Sequence, residues 1–518
     1  MTTMMADVLI VGAGPVGLML AGELRLGGAR VVVAEQLVAP MSESRASTLH
    51  ARTMEIFDCR GLLGPLGTPR SDPRGHFGGV PLDLTLPGPY PGQWKVPQAR
   101  TEALLQDWAR SLGATIRRGL RVESLSTYDD HVAVTVQGAD GPSRLRARYL
   151  VGSDGEQSTI RELAEFAFPR IPARHEMLRA DVRGIEIPDR RFQRLPGGLA
   201  IASRGPDGTT RVMVHAHGAG LRPEGAKPVF SEVVAAWRQV TGEDISRGTP
   251  LWINVLTDVS GQAGSYRNGR VLLAGDAAHV QMPVGGQALN LGLQDAVNLG
   301  WKLALVARGR AGQQLLDSYD TERRAAGEQV LANIRAQALL LLGTADVDAV
   351  REVLSELIGL PSVRARLAGL ISGASIRYDV GPGDHPLLGS PVPLVRARPA
   401  AGGTGMAAQL RKARGLLLIP AREDNPGSRL LEDPARSWSD RVDVLKGSSH
   451  GDDAVRDVIA AHGPVLIRPD GYIAWAGDNP TGLSLALRRW FGPPRPVQAL
   501  STEDQLSSCA GRQTGAGR

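Results

Sequence analysis

The sequence predicts an α/β protein built around a parallel β-sheet, and two segments carry this prediction. An apolar run at residues 8–11 leads into Gly12-Ala13-Gly14-Pro15-Val16-Gly17, and a helical stretch, a second apolar run and Glu35 follow. Another apolar strand, at residues 271–274, ends in Gly275-Asp276 and precedes a further helix. Strands that alternate with helices in this way are typical of a parallel sheet whose carboxyl edge binds ligands.

The first segment has the spacing of a Rossmann-like dinucleotide-binding turn. Gly12 allows the tight turn, Gly14 lets the backbone approach a pyrophosphate, and Gly17 lets the helix pack close to the strand. The helix N-terminus then offers unpaired N–H groups to the phosphates. Glu35 follows where an acid accepts hydrogen bonds from ribose hydroxyls. The predicted dinucleotide contacts are Gly12, Gly14, Pro15, Gly17, Glu35 and Gln36.

The strand that ends at Gly275-Asp276 has two interpretations that the residues alone leave open. A carboxylate at the C-terminal end of a parallel strand can accept hydrogen bonds from a polyol such as a ribitol chain. Asp276 can instead cap a helix, a contribution of about 1 kcal/mol. Further along, Pro283 and Gly285-Gly286 open a helix predicted to run to about Arg308. Such a turn offers N–H groups and the positive end of the helix dipole to an electron-rich ring edge.

Length and composition exclude several classes of protein. The chain has 518 residues, 42% hydrophobic and 22% charged, so we expect a globular protein of two or three domains. No apolar run approaches the ~20 residues that a membrane helix needs. The net charge of +6 comes mainly from arginines scattered among acids, which argues against nucleic-acid binding. From the residues at the N-terminus we expect no signal peptide, and we expect a cytoplasmic bacterial protein.

The cysteines and histidines predict neither a disulfide relay nor a metal site. Only Cys59 and Cys509 are present, without Cys-x-x-Cys spacing or histidines at metal-ligand spacing. His215 and His217 alternate along a predicted strand, and we interpret them as ordinary surface or core histidines. The chain also lacks a second dinucleotide fingerprint. We therefore expect one firmly bound dinucleotide, and transient binding of any second nucleotide.

The intervening segments predict a divided first domain. Residues 51–63 and a stretch that Thr101 would cap are predicted helices, and short alternating runs over residues 120–151 predict a β-meander. Residues 175–265 predict further strands with one helix, which suits a separate substrate domain.

Together the motifs resemble the FAD-dependent aromatic hydroxylases, the class A flavoprotein monooxygenases of the p-hydroxybenzoate hydroxylase type. The resemblance covers roughly residues 5–340 and rests on the fingerprint with Glu35, on Tyr149 to Gly155, and on Gly275-Asp276 through Leu303. It implies a Rossmann-like FAD-binding domain interleaved with a mixed-sheet substrate domain. Residues 413–492 resemble the thioredoxin-like C-terminal domain of the larger members that tailor aromatic polyketides.

Five regions follow from this resemblance, of which the first is discontinuous. They are a FAD-binding domain (1–174 and 266–340), a substrate-binding β-sheet domain (175–265), a helical linker region (341–400), a thioredoxin-like domain (401–492) and a disordered tail (493–518).

The resemblance also implies cofactor contacts residue by residue. Asp154 falls in a segment that the family links to both FAD and NAD(P)H binding. The remaining matches are to the pyrophosphate (Arg45), the ribitol (Gln98 and Asp276), the adenine through a backbone contact (Val122), and the flavin turn and ring (Pro283, Gly286, Ala288, Leu289 and Asn290). Two positions beside the expected ring depart from the family pattern. Ala288 replaces a common glycine, and Gln281-Met282 replaces a common His-Pro.

In the implied mechanism the chemistry belongs to the cofactor, and no side chain is assigned as catalytic. NADPH, or NADH, reduces FAD and leaves; O2 then gives a flavin C4a-hydroperoxide, which passes one oxygen atom to a polycyclic aromatic substrate. Hydroxylation is the leading expectation. Baeyer–Villiger insertion into a polyketide ketone is the alternative, and non-catalytic FAD binding is the less favoured one. The expected partners are the aromatic substrate and O2, with no nucleic acid or membrane, and a homodimer is left open.

Overall fold

A computed structural model of the chain describes seven stretches of residues. They are 5–40, 47–205, 207–223, 225–394, 405–421, 428–447 and 453–495. No single described helix is long and apolar enough to cross a membrane; by length and composition alone, one sharply bent pair of helices, Gln314–Leu342 with Ala345–Ile358, meets that criterion together.

The first part of the chain alternates strands with helices. Its elements in chain order are β1 (Met5–Val11), α1 (Pro15–Leu26), β2 (Val31–Glu35), β3 (Thr48–His50), α2 (Ala51–Cys59), α3 (Leu63–Leu66), β4 (Ser71–Asp72), β5 (Arg74–Phe77), β6 (Val80–Asp83), β7 (Gln93–Lys95), α4 (Gln98–Ser111), β8 (Thr115–Arg118), β9 (Arg121–Thr127), β10 (Val132–Gly138), β11 (Gly141–Gly152), α5 (Thr159–Leu163) and β12 (Arg170–Ile171).

The middle part adds an antiparallel sheet and then long helices. Its elements are β13 (Glu176–Arg183), β14 (Arg190–Leu195), β15 (Gly198–Arg204), β16 (Thr209–Ala216), α6 (Phe230–Thr241), β17 (Thr249–Thr257), β18 (Ser260–Gln262), β19 (Arg267–Asn268), β20 (Val271–Leu273), β21 (His279–Val280), α7 (Gln287–Ala307), α8 (Gln314–Leu342), α9 (Asp348–Ile358) and α10 (Pro361–Ser372).

The last part is a small α/β unit. Its elements are α11 (Met406–Gln409), β22 (Gly415–Pro420), α12 (Ser428–Ala435), β23 (Val442–Gly447), α13 (Asp453–His462), β24 (Val465–Ile467), β25 (Ile473–Ala476) and α14 (Pro480–Phe491). Short 3-10 turns lie at Gly275–Ala277, Val284–Gly286, Ala345–Val347 and Arg436–Trp438.

The predicted parallel sheet is the centre of the molecule. Its strands run in the order β19-β20-β11-β1-β2-β8, and the β9–β10 hairpin attaches to β11. β20, β11, β1, β2 and β8 pair in parallel. Val8, Ile10 and Val33 on the central strands are fully buried, as expected for a sheet covered on both faces. This register brings the ends of β1, β2, β11 and β20 to one edge, where ligands bind in such sheets.

The five-stranded antiparallel sheet, in the order β14-β15-β16-β13-β17, occupies the region expected to bind substrate. Side chains alternate across its two faces because successive strand residues point in opposite directions. One face packs on α6 through residues such as Trp237 and Val214. The other face, which includes Met177 and Leu199, packs against Val284 and α8. This inner face therefore meets the second motif of the first domain.

The C-terminal sheet has the mixed pairing expected of a thioredoxin-like unit. Its order is β23-β22-β24-β25, with β22 and β23 parallel and the other pairs antiparallel. Just after α14, the Pro493 carbonyl accepts a hydrogen bond from Arg441, and the Arg495 amide donates to the Ser437 carbonyl. Residues 496–518, most of the tail expected to be disordered, lie outside the described residues.

Two local predictions about helices were wrong. Thr101 does not cap α4, which begins at Gln98 with Pro97 as its N-cap; Thr101 lies buried inside the helix. The three residues before Thr101 are good helix formers, so the helix extends back to the proline. The helix expected over residues 51–63 ends at Cys59. Gly61 follows with a φ of 71°, a left-handed conformation that interrupts the helix before α3.

Candidate cofactor and substrate site

The glycine fingerprint lies between β1 and α1, and its three glycines have different surroundings. Gly12 has a φ of 104°, and a Cβ there would lie 2.3 Å from the Ser153 carbonyl oxygen. A Cβ at Gly17 would lie 2.0 Å from the Gly12 oxygen. A Cβ at Gly14 would meet nothing within 4 Å. Gly12 and Gly17 therefore serve close packing, whereas Gly14 leaves open space beside the N-terminus of α1.

Glu35 ends β2 and has a fixed orientation beside this open space. Its Oε2 accepts a hydrogen bond from the Ala13 amide at 2.7 Å, and its Oε1 accepts one from the Leu37 amide at 2.8 Å. A carboxylate has about four acceptor sites, so two remain. Gln36, the next residue, is exposed.

Asp154 lies next to the fingerprint but is engaged within its own loop. Its Oδ1 accepts a hydrogen bond from the Ser158 hydroxyl at 2.5 Å, and its Oδ2 accepts one from the Ile160 amide at 3.1 Å. Burial raises the pKa of Asp154, although these two hydrogen bonds act to lower it. Asp154 thus fixes the start of α5 at the edge where β11 passes Gly12.

The second motif forms a tight turn after β20 that a buried acid holds in place. Asp295 of α7 accepts hydrogen bonds from the Gly275 amide at 3.0 Å, His279 Nε2 at 2.8 Å and Arg323 Nε at 2.7 Å. Burial alone would raise the pKa of Asp295, but Arg323 and His279 hold it below the usual range. Asp276, in the middle of this turn, is exposed.

The capping interpretation of Asp276 was wrong. The N-cap of its 3-10 turn is Ala274, and the N-cap of α7 is Gly286. A short strand, β21, and a second 3-10 turn separate Asp276 from the start of α7, so its carboxylate holds no N-cap position. This leaves Asp276 at the carboxyl edge of the parallel sheet, where the ribitol interpretation places it.

The turn that opens α7 has the backbone that its glycines allow. Gly285 and Gly286 have φ values of 66° and 68°, in the left-handed region. Asn290 secures the turn: its Nδ2 donates to the carbonyls of Gly286 at 2.8 Å and Thr48 at 3.0 Å, and its Oδ1 accepts from the His50 amide at 2.9 Å. Its side-chain amide therefore joins β3 to α7. We call residues 283–290 the flavin turn.

Around this turn several buried polar atoms have no partner in the described chain. The side-chain oxygen and nitrogen of both Gln281 and Gln287 form no hydrogen bond, and neither does Nδ1 of His50. A buried polar group left unpaired costs about 1–3 kcal/mol. A cofactor with a polar ring edge would supply such partners, and the open space at Gly14 would accommodate its phosphates. The residues of this cleft therefore fit FAD.

The remaining predicted contacts lie on several different elements of the chain. Gln98 is the first residue of α4, and Val122 is buried in β9. Pro283 is exposed, and Ala288 and Leu289 are half-buried in the first turn of α7. Arg45 lies outside the described residues.

An apolar wall borders the flavin turn. It joins the inner face of the five-stranded sheet to residues from the turn and from α8. Its buried members are Met177, Leu199, Met282, Val284, Leu291, Val330, Ile334, Ala338, Leu341 and Leu342, and its partly buried members are Phe192, Ile201, Met213 and Leu256. His215, from the same sheet, is buried and hydrogen-bonds the Glu176 carbonyl through Nδ1 at 2.8 Å.

Sequence reasoning missed Asp295 and Arg323, which organise the second motif. Their contacts join positions 16 to 32 residues apart on different elements. One signal was available: Asp295 lies in a helix whose other residues are mostly apolar. A carboxylate in such a place must be paired when it is buried.

Comparisons with known proteins agree with this geometry. A family model described as FAD binding domain matches residues 5–334, and one described as aromatic-ring hydroxylase, C-terminal, matches residues 385–494. The chain is 42% identical over 515 residues to 12-dehydrotetracycline 5-monooxygenase/anhydrotetracycline 6-monooxygenase of Streptomyces rimosus, covering 94% of this chain and 99% of the relative. It is 40% identical over 507 residues to rifampicin monooxygenase of Streptomyces venezuelae, covering 94% and 99%.

A solved structure gives the same result. The crystal structure of CabE, an aromatic hydroxylase from angucycline biosynthesis, superposes with a TM-score of 0.88 at 47% identity, covering 95% of this chain and 100% of that chain. The chain therefore belongs to the family of FAD-dependent aromatic-ring hydroxylases and is a flavin-dependent monooxygenase.

Proposed function

We propose that this monooxygenase hydroxylates a polycyclic, electron-rich aromatic substrate of the polyketide type, with NADPH as the reductant. The observation that carries the proposal is the apolar wall beside the flavin turn. Relatives whose names refer to anhydrotetracycline, rifampicin and angucycline biosynthesis support the same substrate class.

The composition of the wall suits a flat, apolar ligand. Met177, Met213 and Met282 bring flexible, polarisable side chains to one surface, and methionines adapt to irregular aromatic shapes. Phe192 adds a ring that packs on His76 with centroids 3.9 Å apart. A polycyclic substrate gains affinity here by removing apolar surface from water, roughly 25 cal/mol for each Å² buried.

FAD would be held along the carboxyl edge of the parallel sheet. Gly12, Gly14 and the N-terminus of α1 would receive the pyrophosphate, and the two remaining acceptor sites of Glu35 would receive ribose hydroxyls. Asp276 would accept hydrogen bonds from the ribitol. The free N–H groups in the first turn of α7, including that of Leu289, would face the pyrimidine side of the ring.

When bound, the flavin supplies the activation of O2 and the transfer of one oxygen atom to the substrate. The chain contributes position and environment. The wall excludes water from the face where substrate binds. Asn290 links β3 to α7 through its side-chain hydrogen bonds. Asp295, paired with Arg323, holds the turn that contains Asp276.

The reductant would bind transiently. Glu35 belongs to the fingerprint that serves FAD in this proposal, and the sequence carries no second fingerprint. Nicotinamide binding should then be weak in the absence of substrate. Isolation of a stable, stoichiometric NADP complex would contradict this arrangement.

The test uses holoenzyme, NADPH and a panel of polycyclic phenols in air. We expect substrate-stimulated NADPH oxidation and a product heavier by one oxygen atom. NMR of the product separates ring hydroxylation from Baeyer–Villiger insertion, since both add one oxygen. NADPH oxidation that yields only hydrogen peroxide with every phenol would contradict the proposed reaction.

A pair of variants on one strand tests the role of the wall. Leu256 of β17 is partly buried on the inner face, whereas Leu251 of the same strand is 50% exposed. Leu256→Glu should raise the KM for the phenol at least about tenfold, because the ligand would desolvate a carboxylate. Leu251→Glu should leave KM unchanged. Equal KM values in the two variants would show that the apolar wall is not part of the substrate site.

A further inference from the structure

Lys95 is a cation that ends β7 beside the flavin turn, with a side chain that is partly exposed to solvent. It lies opposite Thr48 of β3 in an antiparallel pair, and its Nζ donates a hydrogen bond to the Thr48 hydroxyl at 3.0 Å. Among the described residues, Lys95 takes part in no salt bridge. Lys302, which is buried, is by contrast paired with Glu322 at 2.8 Å.

Thr48 connects this ammonium group to the flavin turn. A Cβ built on Gly286 would lie 3.1 Å from the Thr48 Cβ, so the two residues are in close contact. The Thr48 carbonyl also accepts a hydrogen bond from Asn290 at 3.0 Å. Lys95 is therefore separated from the N-terminus of α7 by a single side chain.

The surrounding charges leave an excess of positive charge. Asp72 of β4 is the carboxylate of this small sheet, and Arg74 already pairs with it at 3.0 Å, while Arg191 approaches it to 3.6 Å. Loss of solvent and the nearby Arg191 lower the pKa of Lys95, and Asp72 opposes them only in part. His76 adds no charge near neutral pH, because burial and the neighbouring cations lower its pKa to about 4.

We propose that the Lys95 ammonium is the charged group that stabilises negative charge on the pyrimidine side of the flavin, in addition to the N-terminus of α7. The inference rests on the proposed position of FAD at the flavin turn. An anion at that place would offset the unbalanced charge of Lys95, Arg74 and Arg191. Lys95 acts here through its charge, and its partner Thr48 fixes where that charge lies.

Sulfite titration of the oxidised holoenzyme measures this charge without turnover. Sulfite forms a bond from its sulfur to flavin N5, and the adduct carries negative charge on the pyrimidine side of the ring. Lys95→Met should raise the dissociation constant for sulfite at least about tenfold, as expected for removing a unit charge close to the place where negative charge develops. It should also shift the midpoint potential of the bound flavin to a more negative value.

Two further variants separate charge from shape. Lys95→Arg keeps the charge and should retain most of the sulfite affinity. Lys227→Met removes an exposed lysine in the connection between β16 and α6 and should match the wild type. The FAD content of each variant is measured first, so that loss of cofactor is not mistaken for loss of charge.

The outcomes distinguish this inference from the proposed function. A wild-type protein that binds no FAD would refute the function itself. A Lys95→Met protein with full FAD and unchanged sulfite affinity would overturn the inference alone. If that variant weakens phenol binding while sulfite affinity and midpoint potential stay constant, Lys95 belongs to the substrate site and the inference is also overturned.

Discussion

Two regions along α7 contain buried polar groups, and they differ in whether those groups are charges paired within the chain. At the C-terminal end, Arg468 donates to both oxygens of Glu322 at 2.6 and 2.9 Å and pairs with Asp470. Lys302 and Asn298 donate to the same Glu322 at 2.8 and 2.6 Å. We call this cluster, between α7, α8 and the C-terminal sheet, the seam. Its charges neutralise one another within the chain.

The seam is also enclosed by aromatic rings and by a second ion pair. The Arg468 guanidinium lies 4.5 Å from the ring centre of Trp490 and 5.5 Å from that of Trp301. Arg60 pairs with Glu23 at 2.5 Å and donates to the Pro469 carbonyl at 2.9 Å. Each buried charge therefore has a partner, which is what a permanent contact between two units of one chain requires.

At the N-terminal end of α7 the buried polar groups are uncharged amides. Both side-chain polar atoms of Gln281 and of Gln287 lack partners among the described residues. Natural proteins leave few buried polar groups unpaired. The two regions therefore differ in charge pairing and not in every polar group. The charges of the seam are matched within the chain, although Asn298 Oδ1 and the indole nitrogens of Trp301 and Trp490 have no partner among the described residues. At the cleft, the unpaired amides are uncharged groups that a polar ligand would satisfy. Variants at each region should therefore have separable effects.

The largest expected effect is on the seam. Arg468→Met keeps much of the side-chain volume but leaves Glu322 and Asp470 with one cation between them. Breaking a buried pair by removing one partner costs about 3–5 kcal/mol. We expect a loss of this size in the free energy of unfolding from urea denaturation. Arg488→Met, on the exposed side of α14, is the matched control. Equal unfolding midpoints in the two variants would show that the seam contributes nothing.

The next effect concerns pH. Burial opposes the ionisation of Glu322, but Arg468 and Lys302 overcome it and lower its pKa from 4.5 to about 2. A carboxyl whose folded pKa is lowered contributes stability above its unfolded pKa, and this contribution is lost as pH falls toward the folded pKa.

The comparison of wild type with Glu322→Gln checks this pH dependence. The difference in unfolding free energy should be constant above pH 5.5 and should shrink between pH 4.5 and 2. Glu328→Gln, an exposed acid on the same helix, should show no such difference. A constant difference down to pH 2 would mean that the Glu322 carboxylate is not the source.

The smallest effect is at Ala288 in the flavin turn. Glycine there would free the backbone by up to about 1 kcal/mol and allow the turn to move relative to the ring. We expect Ala288→Gly to retain FAD and to change the moles of product formed per mole of NADPH oxidised. Unchanged coupling together with an unchanged rate of flavin reduction would show that residue 288 serves packing only.

Local patterns predicted the fingerprint, the meander, the strands of the substrate domain and the C-terminal strands, because glycine conformation and side-chain periodicity are properties of short segments. The helix expected to run to about Arg308 ends at Ala307. Family resemblance, rather than spacing, supplied the contacts of Gln98, Val122 and Asp154. Those contacts remain predictions, since they depend on where the cofactor lies.

The pairings of the seam and of Lys95 could not be predicted in this way. Arg468 and Glu322 are 146 residues apart, and Lys95 and Thr48 are 47 residues apart. Such contacts exist only once the sheets and helices have packed together. The sequence did contain a partial signal, because a charged residue within an apolar helix, such as Lys302 in α7, must find a partner when it is buried.

Titration of the apo-protein with FAD, followed by the change in flavin fluorescence, tests the central claim most directly. Wild type and Glu322→Gln at neutral pH should each bind one FAD with the same affinity, because the charges of the seam are paired within the chain and not with the ligand. Asp276→Ala should bind about 10- to 100-fold more weakly, since a hydrogen bond to a charged acceptor contributes roughly 1.5–3 kcal/mol. Equal FAD affinity for Asp276→Ala and wild type, or an equal loss in both variants, would contradict the separation of cleft and seam.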